Sequence, residues 1–195
     1  MKKLSTYLFL ILFSFQTSSW ADDIRDFEIE GMSIGDSLLV YFNEKKILEY
    51  KQVNQFPKSD KFIISTFYDE DFFEVYDSVS TSYKNNKKYI LHSIEGRIFF
   101  ENDIQACLQK KKDIADNIKN SFNNLKKYEG EKNHRFDKSG KSKYIYLAYE
   151  FESGDYIQVS CTDWSAQIEN KGFSDELKVS MASREFGDFM DNEAY

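Results

Sequence analysis

A chain of 195 residues with a net charge of −7 is long enough for one domain with a hydrophobic core. Its acidity argues against nucleic-acid binding, because an acidic surface repels phosphate backbones and anionic lipids. Nearly all of the positive charge is Lys, and Tyr and Phe are abundant, as is typical of AT-rich coding sequence. Clusters of Lys or Tyr therefore carry less functional weight here than in an average chain.

The first 21 residues have the three parts of a secretory signal peptide. Lys2 and Lys3 form a positive start, an apolar run follows, and the stretch ends on small residues at Ala21. The run is much shorter than the roughly 20 apolar residues of a membrane-spanning helix, and no later stretch is apolar enough to span. We predict cleavage after Ala21, which leaves residues 22–195 as a single periplasmic or secreted domain without a transmembrane segment.

The first half of this domain has the patterns of one strand, one helix and three further strands. Ser33 begins a capping-box sequence, and apolar residues follow it at roughly helical spacing. Apolar alternation marks the strands after it. The predicted elements are a strand at 27–30, a helix from Ser33, and strands at 62–67, 73–83 and 89–100, the last with a bulge or turn at Glu95-Gly96.

The sequence of the second half predicts a long amphipathic helix, a polar loop, three strands and a short final helix. Asn102 or Asp103 caps the long helix, whose apolar residues recur at helical spacing to about Lys127. Ser183 caps the final helix. The loop is predicted at 128–143 and the strands at 144–152, 156–163 and 176–181.

This order of elements favours an α+β fold, with a mostly antiparallel sheet packed against one long amphipathic helix. Short helices lie near the N-terminus and the C-terminus. Hairpins dominate, and the strand–helix–strand alternation of a parallel sheet is absent. The second helix and its three strands also allow a worn internal duplication, with a break near residue 102.

Two cysteines, Cys107 and Cys161, follow the signal, and export delivers them to an oxidising compartment. Cys107 lies on the apolar stripe of the long helix, and Cys161 lies on the inward side of an alternating strand. Both thiols therefore face one helix–sheet interface, which predicts a disulfide. The alternative is a pair of buried free thiols. A shared metal site is disfavoured, because neither His92 nor His134 stands at ligand spacing from a cysteine.

One stretch near the N-terminus contains two serine-hydrolase signatures. GMSIG at residues 31–35 matches the pattern of a nucleophile elbow, but too few residues precede it to build the parallel strands that an elbow needs. GDSL at 35–38 resembles the signature of the GDSL esterases, in which a C-terminal Asp-x-x-His pair activates the serine. No histidine follows His134. A GDSL-like esterase that uses Ser37 is therefore the alternative function, without its expected base.

Three other patterns predict no chemistry. SGKS at 139–142 resembles the end of a phosphate-binding loop, but it lacks the first glycine and precedes a strand. The acidic run at 69–71 has no calcium-loop spacing, and a solvated loop accounts for it. His92 and His134 fit ordinary strand and loop positions. We predict no cofactor and no metal site.

The surface feature that suggests binding is a set of aromatic side chains on the last sheet strands. Alternation turns Leu147 and its apolar neighbours inward, so Tyr144 and Tyr146 face outward. Tyr156 joins them across the hairpin, and Trp164 lies nearby. Exposed aromatic side chains on a flat sheet suit stacking on a sugar or a protein. The competing explanations are codon bias and a loop that covers the rings.

The chain resembles a family of small exported proteins from marine bacteria with AT-rich genomes. The resemblance rests on IEGMSIGDSLL at residues 29–39, the helix that carries Cys107, DKSGKS at 137–142 and the closing residues 186–195. It implies export and assigns no activity or site residue. The predicted helix start with GMS at 31–33 is also similar to the corresponding helix start in small envelope-assembly proteins of the outer-membrane β-barrel machinery.

These features favour a non-catalytic periplasmic or secreted binding module. Its partner is an envelope protein or a glycan, and its binding face is formed by Tyr144, Tyr146, Tyr156 and Trp164. The sequence leaves the ligand and the oligomeric state open.

Overall fold

The structure is a computed structural model that describes residues 23–68 and 71–195. The predicted signal peptide, with its cleavage site at Ala21, lies outside the described residues. Residues 69 and 70 of the acidic run also lie outside the described residues.

The described residues form two 3-10 turns, four α-helices and seven β-strands. The 3-10 turns are Ile24–Asp26 and Leu38–Val40. The helices are α1 (Glu44–Glu49), α2 (Ile104–Ser121), α3 (Ala166–Glu169) and α4 (Arg184–Asn192). The strands are β1 (Phe62–Phe67), β2 (Ser78–Lys84), β3 (Leu91–Phe99), β4 (Lys126–Asn133), β5 (Lys143–Glu150), β6 (Tyr156–Asp163) and β7 (Glu176–Ala182).

These seven strands form one antiparallel sheet in the order β1-β2-β3-β7-β6-β5-β4. The long helix α2 packs across β6 and β7, so the predicted α+β fold with one long helix on an antiparallel sheet is confirmed. The meanders β1–β3 and β4–β7 meet where β3 pairs with β7. The predicted break near residue 102 falls between them, and the duplication itself stays a prediction.

Alternation of side chains gives the sheet two unlike faces. The helix face lies against α2 and the N-terminal segment, and its paired residues Leu147, Val159 and Val179 are buried. The opposite side is the open face. In one row across four neighbouring strands, the open face carries Tyr146, Ser160, Lys178 and Arg97.

A disulfide joins α2 to the helix face. Cys107 and Cys161 are fully buried, with an S–S distance of 1.97 Å and a Cα–Cα distance of 6.1 Å. Asp103 holds the start of the helix, since its carboxylate accepts a hydrogen bond of 3.0 Å from the backbone N–H of Ala106. The predicted disulfide and the predicted cap are both confirmed.

The final helix covers part of the open face. Ser183 caps α4 as predicted, because its hydroxyl accepts a hydrogen bond from the N–H of Phe186. Phe186 and Phe189 then pack on Phe62 of β1, with ring centroids 5.2 and 4.9 Å away. The β1 end of the open face is thereby closed, and α4 also packs on Tyr156 at the start of β6.

The predicted helix from Ser33 is wrong. The Ser33 N–H does donate to the carboxylate of Asp36 (2.9 Å), but Gly35 at φ +94° turns the chain before a helical turn forms. The segment pairs with the start of β3 instead, since the Gly35 N–H donates to the Leu91 carbonyl at 2.9 Å. A 3-10 turn and α1 follow separately, and they hold the apolar residues that mimicked helical spacing.

Two predicted strands are shortened. The first is reduced to an isolated bridge between Ile29 and Met32. The alternating segment before β2 becomes strand only at Ser78, because the Glu30 carboxylate accepts hydrogen bonds of 2.8 to 2.9 Å from the backbone N–H groups of residues 74–76. Those contacts hold the segment in a loop.

Strand β3 runs without interruption through Glu95 and Gly96, where a bulge or turn was predicted. The register shifts only between Ser82 and Tyr83 of β2. Gly96 serves close packing, since a Cβ on it would lie 2.6 Å from the ring of Tyr76.

The stretch predicted as a polar loop at 128–143 is largely strand β4 and its hairpin. Helix α2 ends at Ser121 and not near Lys127, because Phe122 is extended and Asn124 takes φ +56°. Strand β4 lies at the sheet edge and is almost wholly exposed, so it has no apolar alternation to reveal it. Its charged side chains also protect the edge from pairing with another sheet.

Candidate ligand-binding cleft on the open face

A cleft crosses the open face between α4 and the loop of residues 134–142. Its larger part has a volume of about 680 Å³ and is lined by Arg97, Lys178, Trp164 and the first residues of that loop. Arg97 also lines the continuation toward α4, which has a volume of about 380 Å³ and ends beside Tyr195. Sheet, helix and loop thus form three sides of one concave surface.

The loop of residues 134–142 is organised around one buried carboxylate, that of Asp137. It accepts hydrogen bonds from the N–H of Ser139 (2.9 Å), from the N–H and hydroxyl of Ser142 (3.0 and 2.7 Å) and from the hydroxyl of Ser165 (2.9 Å). These bonds, led by those of Ser142 and Ser139, hold the pKa of Asp137 well below its usual range. The segment that resembled a phosphate-binding loop therefore shapes the cleft wall.

A network of four charged side chains lies on the cleft floor. Glu95 Oε1 accepts hydrogen bonds from Arg97 Nε (2.8 Å) and Nη2 (2.6 Å). Lys178 Nζ lies 3.9 Å from Glu95 and 3.7 Å from Glu176. Burial alone would raise the pKa of Glu95, but the charges of Lys178 and Arg97 outweigh it, so the pKa of Glu95 is lowered.

Two further cations border the cleft without a carboxylate partner in the described part of the chain. Lys132 Nζ lies over the rings of Tyr144 and Tyr146, 5.2 and 5.3 Å from their centroids. The guanidinium of Arg135 lies 5.8 Å from the centroid of the Tyr195 ring. Both cations are exposed, so their charges are available to a ligand.

Aromatic rings form the outer wall. His134 and Trp164 are 4.3 Å apart between ring centroids, Trp164 and Phe173 are 5.1 Å apart, and Phe173 and Phe136 are 5.3 Å apart. Phe136 is 53% exposed and Phe173 39% exposed, although both are wholly apolar. Burial, reinforced by the positive charges of Lys178 and Arg135, lowers the pKa of His134.

The structure separates the four predicted aromatic residues. Tyr144 and Tyr146 lie side by side on the open face, with ring centroids 6.0 Å apart. Tyr156 is on the same face but packs beneath α4, and burial raises its pKa to about 12. Trp164 is 7% exposed and lies just beyond β6. The ring of His134 connects Tyr144 and Trp164, at 6.2 and 4.3 Å.

Ser37, the nucleophile of the esterase alternative, has no base beside it among the described residues. Its hydroxyl donates to the Lys88 carbonyl (2.8 Å) and accepts from the Leu39 N–H. His92 instead contacts the Ser183 hydroxyl, and His134 lies in the cleft wall. Ser37 thus holds together a 3-10 turn and the start of β3.

The charged part of the cleft was not predicted from the sequence. Arg97 and Lys178 stand on strands far apart in the chain, and only the pairing of β3 with β7 places them opposite each other. Arg135 and Asp137 lay in a stretch that was predicted as a plain loop. A usable signal was present, since Arg is rare in this chain and Arg135 is flanked by His134 and Phe136.

Comparison with protein-family models, with curated proteins and with solved structures found no match. Within residues 23–68 and 71–195, no group of His, Cys, Asp and Glu is arranged to hold a metal ion. None of the helices described is both long and apolar enough to cross a membrane.

Proposed function

We propose that this chain is a non-catalytic binding module, exported to the periplasm or the medium, whose ligand site is the cleft on the open face. The observation that carries the proposal is the pairing of unneutralised cations with exposed aromatic rings in one concave surface. Small-molecule sites combine such apolar walls with a few convergent polar groups. The partner is a glycan or an envelope protein segment that carries matching groups.

The distribution of hydrogen bonds supports binding over structural support as the role of the cleft. The loop that carries Arg135 is held in place by Asp137, and it needs no ligand to order it. A preformed wall lowers the entropy cost of binding. Arg135 itself lines the cleft and belongs to neither hydrophobic cluster, the main one on the helix face or the smaller one beneath α4.

Export is supported by the disulfide, which suits an oxidising compartment. The test is mass spectrometry of the protein after expression of the full chain in a bacterium with an intact export pathway. We expect a mature N-terminus at Asp22 and no alkylation of Cys107 or Cys161 without reductant. A chain that retains Met1 in the cytoplasm would contradict export and leave the cleft proposal standing.

The binding role is tested on the exported, oxidised protein with a glycan array and a library of envelope-derived peptides. Arg135→Ala removes a cleft cation, and Lys141→Ala removes the same charge from the same loop outside the cleft lining. We expect at least one ligand that the wild type and Lys141→Ala bind and Arg135→Ala does not. If every ligand binds all three proteins equally, or none binds, the cleft is not a binding site.

A further inference from the structure

We infer that the ligand of the cleft is a short acidic sugar, that is, a saturated ring that carries a carboxylate or sulfate group. This inference rests on the proposed function and names its ligand class. It is carried by the geometry of the cleft, in which Arg135 and the exposed rings of Phe136 and Phe173 line one cavity and Lys132 lines the branch that adjoins it.

The cleft is lined by charged side chains of both signs. Four cations, Arg97, Lys132, Arg135 and Lys178, line the cleft and its branches, against the carboxylates of Glu95 and Glu176. Arg97 and Lys178 are engaged with these carboxylates, whereas Lys132 and Arg135 contact only aromatic rings among the contacts that the structure describes. The cleft therefore carries an excess of positive charge that an anionic group would neutralise.

The charge of the whole chain restricts the size of an anionic ligand. Because the net charge is −7, the rest of the surface repels a long polyanion or an anionic membrane. A small ligand whose anionic group enters the cleft escapes most of this repulsion, since exposed charges more than about 10 Å apart are screened at moderate salt. The combination favours a short ligand over a nucleic acid or a lipid surface.

An aromatic wall borders the cations of the cleft. Phe136 and Phe173 expose apolar rings beside the cations, with Trp164 packed behind them. Such rings offer flat apolar surface to the C–H face of a sugar. A free phosphate or a simple metabolite carboxylate would leave this wall unused.

Polar side chains line the cleft and its adjoining branch. Arg135 presents a guanidinium fork, which suits the two oxygens of a carboxylate or sulfate. Tyr144 and Gln158 line the adjoining branch with Lys132, and the Gln158 amide donates to the Tyr144 hydroxyl. Both side chains line this branch, and we expect them to exchange part of this internal bonding for bonds to ring hydroxyl groups.

The experiment measures dissociation constants on the exported, oxidised protein by NMR titration. The probes are trigalacturonate, its methyl ester, galactose 6-sulfate, inorganic phosphate and vesicles of anionic phospholipid. The methyl ester keeps the ring and removes the charge. Lys132→Ala is compared with Lys127→Ala, which removes the same charge from β4 on the helix face.

We expect trigalacturonate or galactose 6-sulfate to bind, and the methyl ester to bind at least about tenfold more weakly. Arg135→Ala and Lys132→Ala should each weaken binding about tenfold, the size of one charge-assisted hydrogen bond, while Lys127→Ala changes little. Phe136→Ala should weaken the acidic and the neutral sugar by the same factor, because it removes only ring contact.

Four results would overturn the inference. They are equal binding of the acidic sugar and its ester, binding that depends on neither Arg135 nor Lys132, binding of phosphate or vesicles alone, and no binding by any probe of the panel. Equal binding of the ester that still depends on Phe136 would overturn the ligand class and keep the cleft as the site. A complete absence of binding by the whole panel would overturn the acidic-sugar assignment, and the array comparison of Arg135→Ala with Lys141→Ala then decides the proposed function separately.

Discussion

The two faces of the sheet are built from the same strands and have opposite characters. On the helix face, Leu147, Val159 and Val179 are buried, and a disulfide ties α2 to them. On the open face the intervening positions carry Arg97 and Lys178, together with tyrosines that retain access to solvent.

The difference shows where stability and binding are located in this fold. Each fully buried aliphatic side chain on the helix face stabilises the fold by about 1.5–3 kcal/mol. Partly exposed ion pairs such as that of Arg97 with Glu95 contribute far less. The part of the open face that α4 leaves uncovered can therefore change its side chains without unfolding the domain, as a binding surface requires.

The largest expected loss of stability comes from removing the disulfide between α2 and the helix face. The double substitution Cys107→Ala and Cys161→Ala opens a loop of 54 residues, and we expect the free energy of unfolding to fall by about 4 kcal/mol. Denaturant titration measures this loss. Ligand binding under native conditions should be retained, because the disulfide does not line the cleft. An unchanged free energy of unfolding would contradict the account of α2.

Substitution of one glycine on each face compares how tightly the two faces are packed. In Gly96→Ala the new Cβ would lie 2.6 Å from the ring of Tyr76, and we expect a loss of about 1–3 kcal/mol from overpacking. In Gly130→Ala, on the open face, the new Cβ meets the far end of Tyr146 at 3.0 Å, and that side chain can move. Thermal unfolding should rank Gly96→Ala well below Gly130→Ala, and the reverse order would count against the description of the two faces.

Acid should weaken the cleft wall through Asp137. Its pKa is lowered in the fold, so its contribution to stability is present above the usual value of 3.8 and is lost as the pH falls below it. We expect Asp137→Asn to lower stability at neutral pH and to flatten the acid limb of the stability curve. Asp116→Asn, at an exposed position of α2, is the control and should follow the wild-type curve.

The smallest effect concerns the protonation of His134. Burial and the charges of Lys178 and Arg135 lower its pKa below 6.5, so the neutral ring stabilises the fold above 6.5 and this contribution is lost as the pH falls. NMR titration of the imidazole should give a pKa below 6.5. Arg135→Ala should raise the pKa of His134 and leave that of His92 unchanged, whereas equal changes in both would mean a global effect.

The helix face could be predicted from the sequence because it follows a local rule. Alternation in β5 and β6, and helical spacing around Cys107, are each readable within about ten residues, and together they predicted the disulfide. The charged half of the cleft follows no such rule. Arg97 meets Lys178 only through the register of β3 and β7, which a single sequence does not contain.

The other wrong predictions also concern features that a local pattern in the sequence does not determine. Ser33 and Asp36 form the contact that a capping box predicts, but tertiary pairing with β3 overrides the helix. Strand β4 lacks any apolar period because both of its faces are solvated along most of its length. Tyr156 shares a face with Tyr144, yet the docking of α4 over it depends on Phe186 and its partners.

The most direct test of the central claim is a map of backbone amide shifts during titration with trigalacturonate. We expect the perturbed amides to cluster on the open face, at residues 97, 132–136, 164 and 173–178, with α2 and the helix face unaffected. Perturbations centred on α2, or spread evenly over both faces, would contradict the assignment of binding to the cleft.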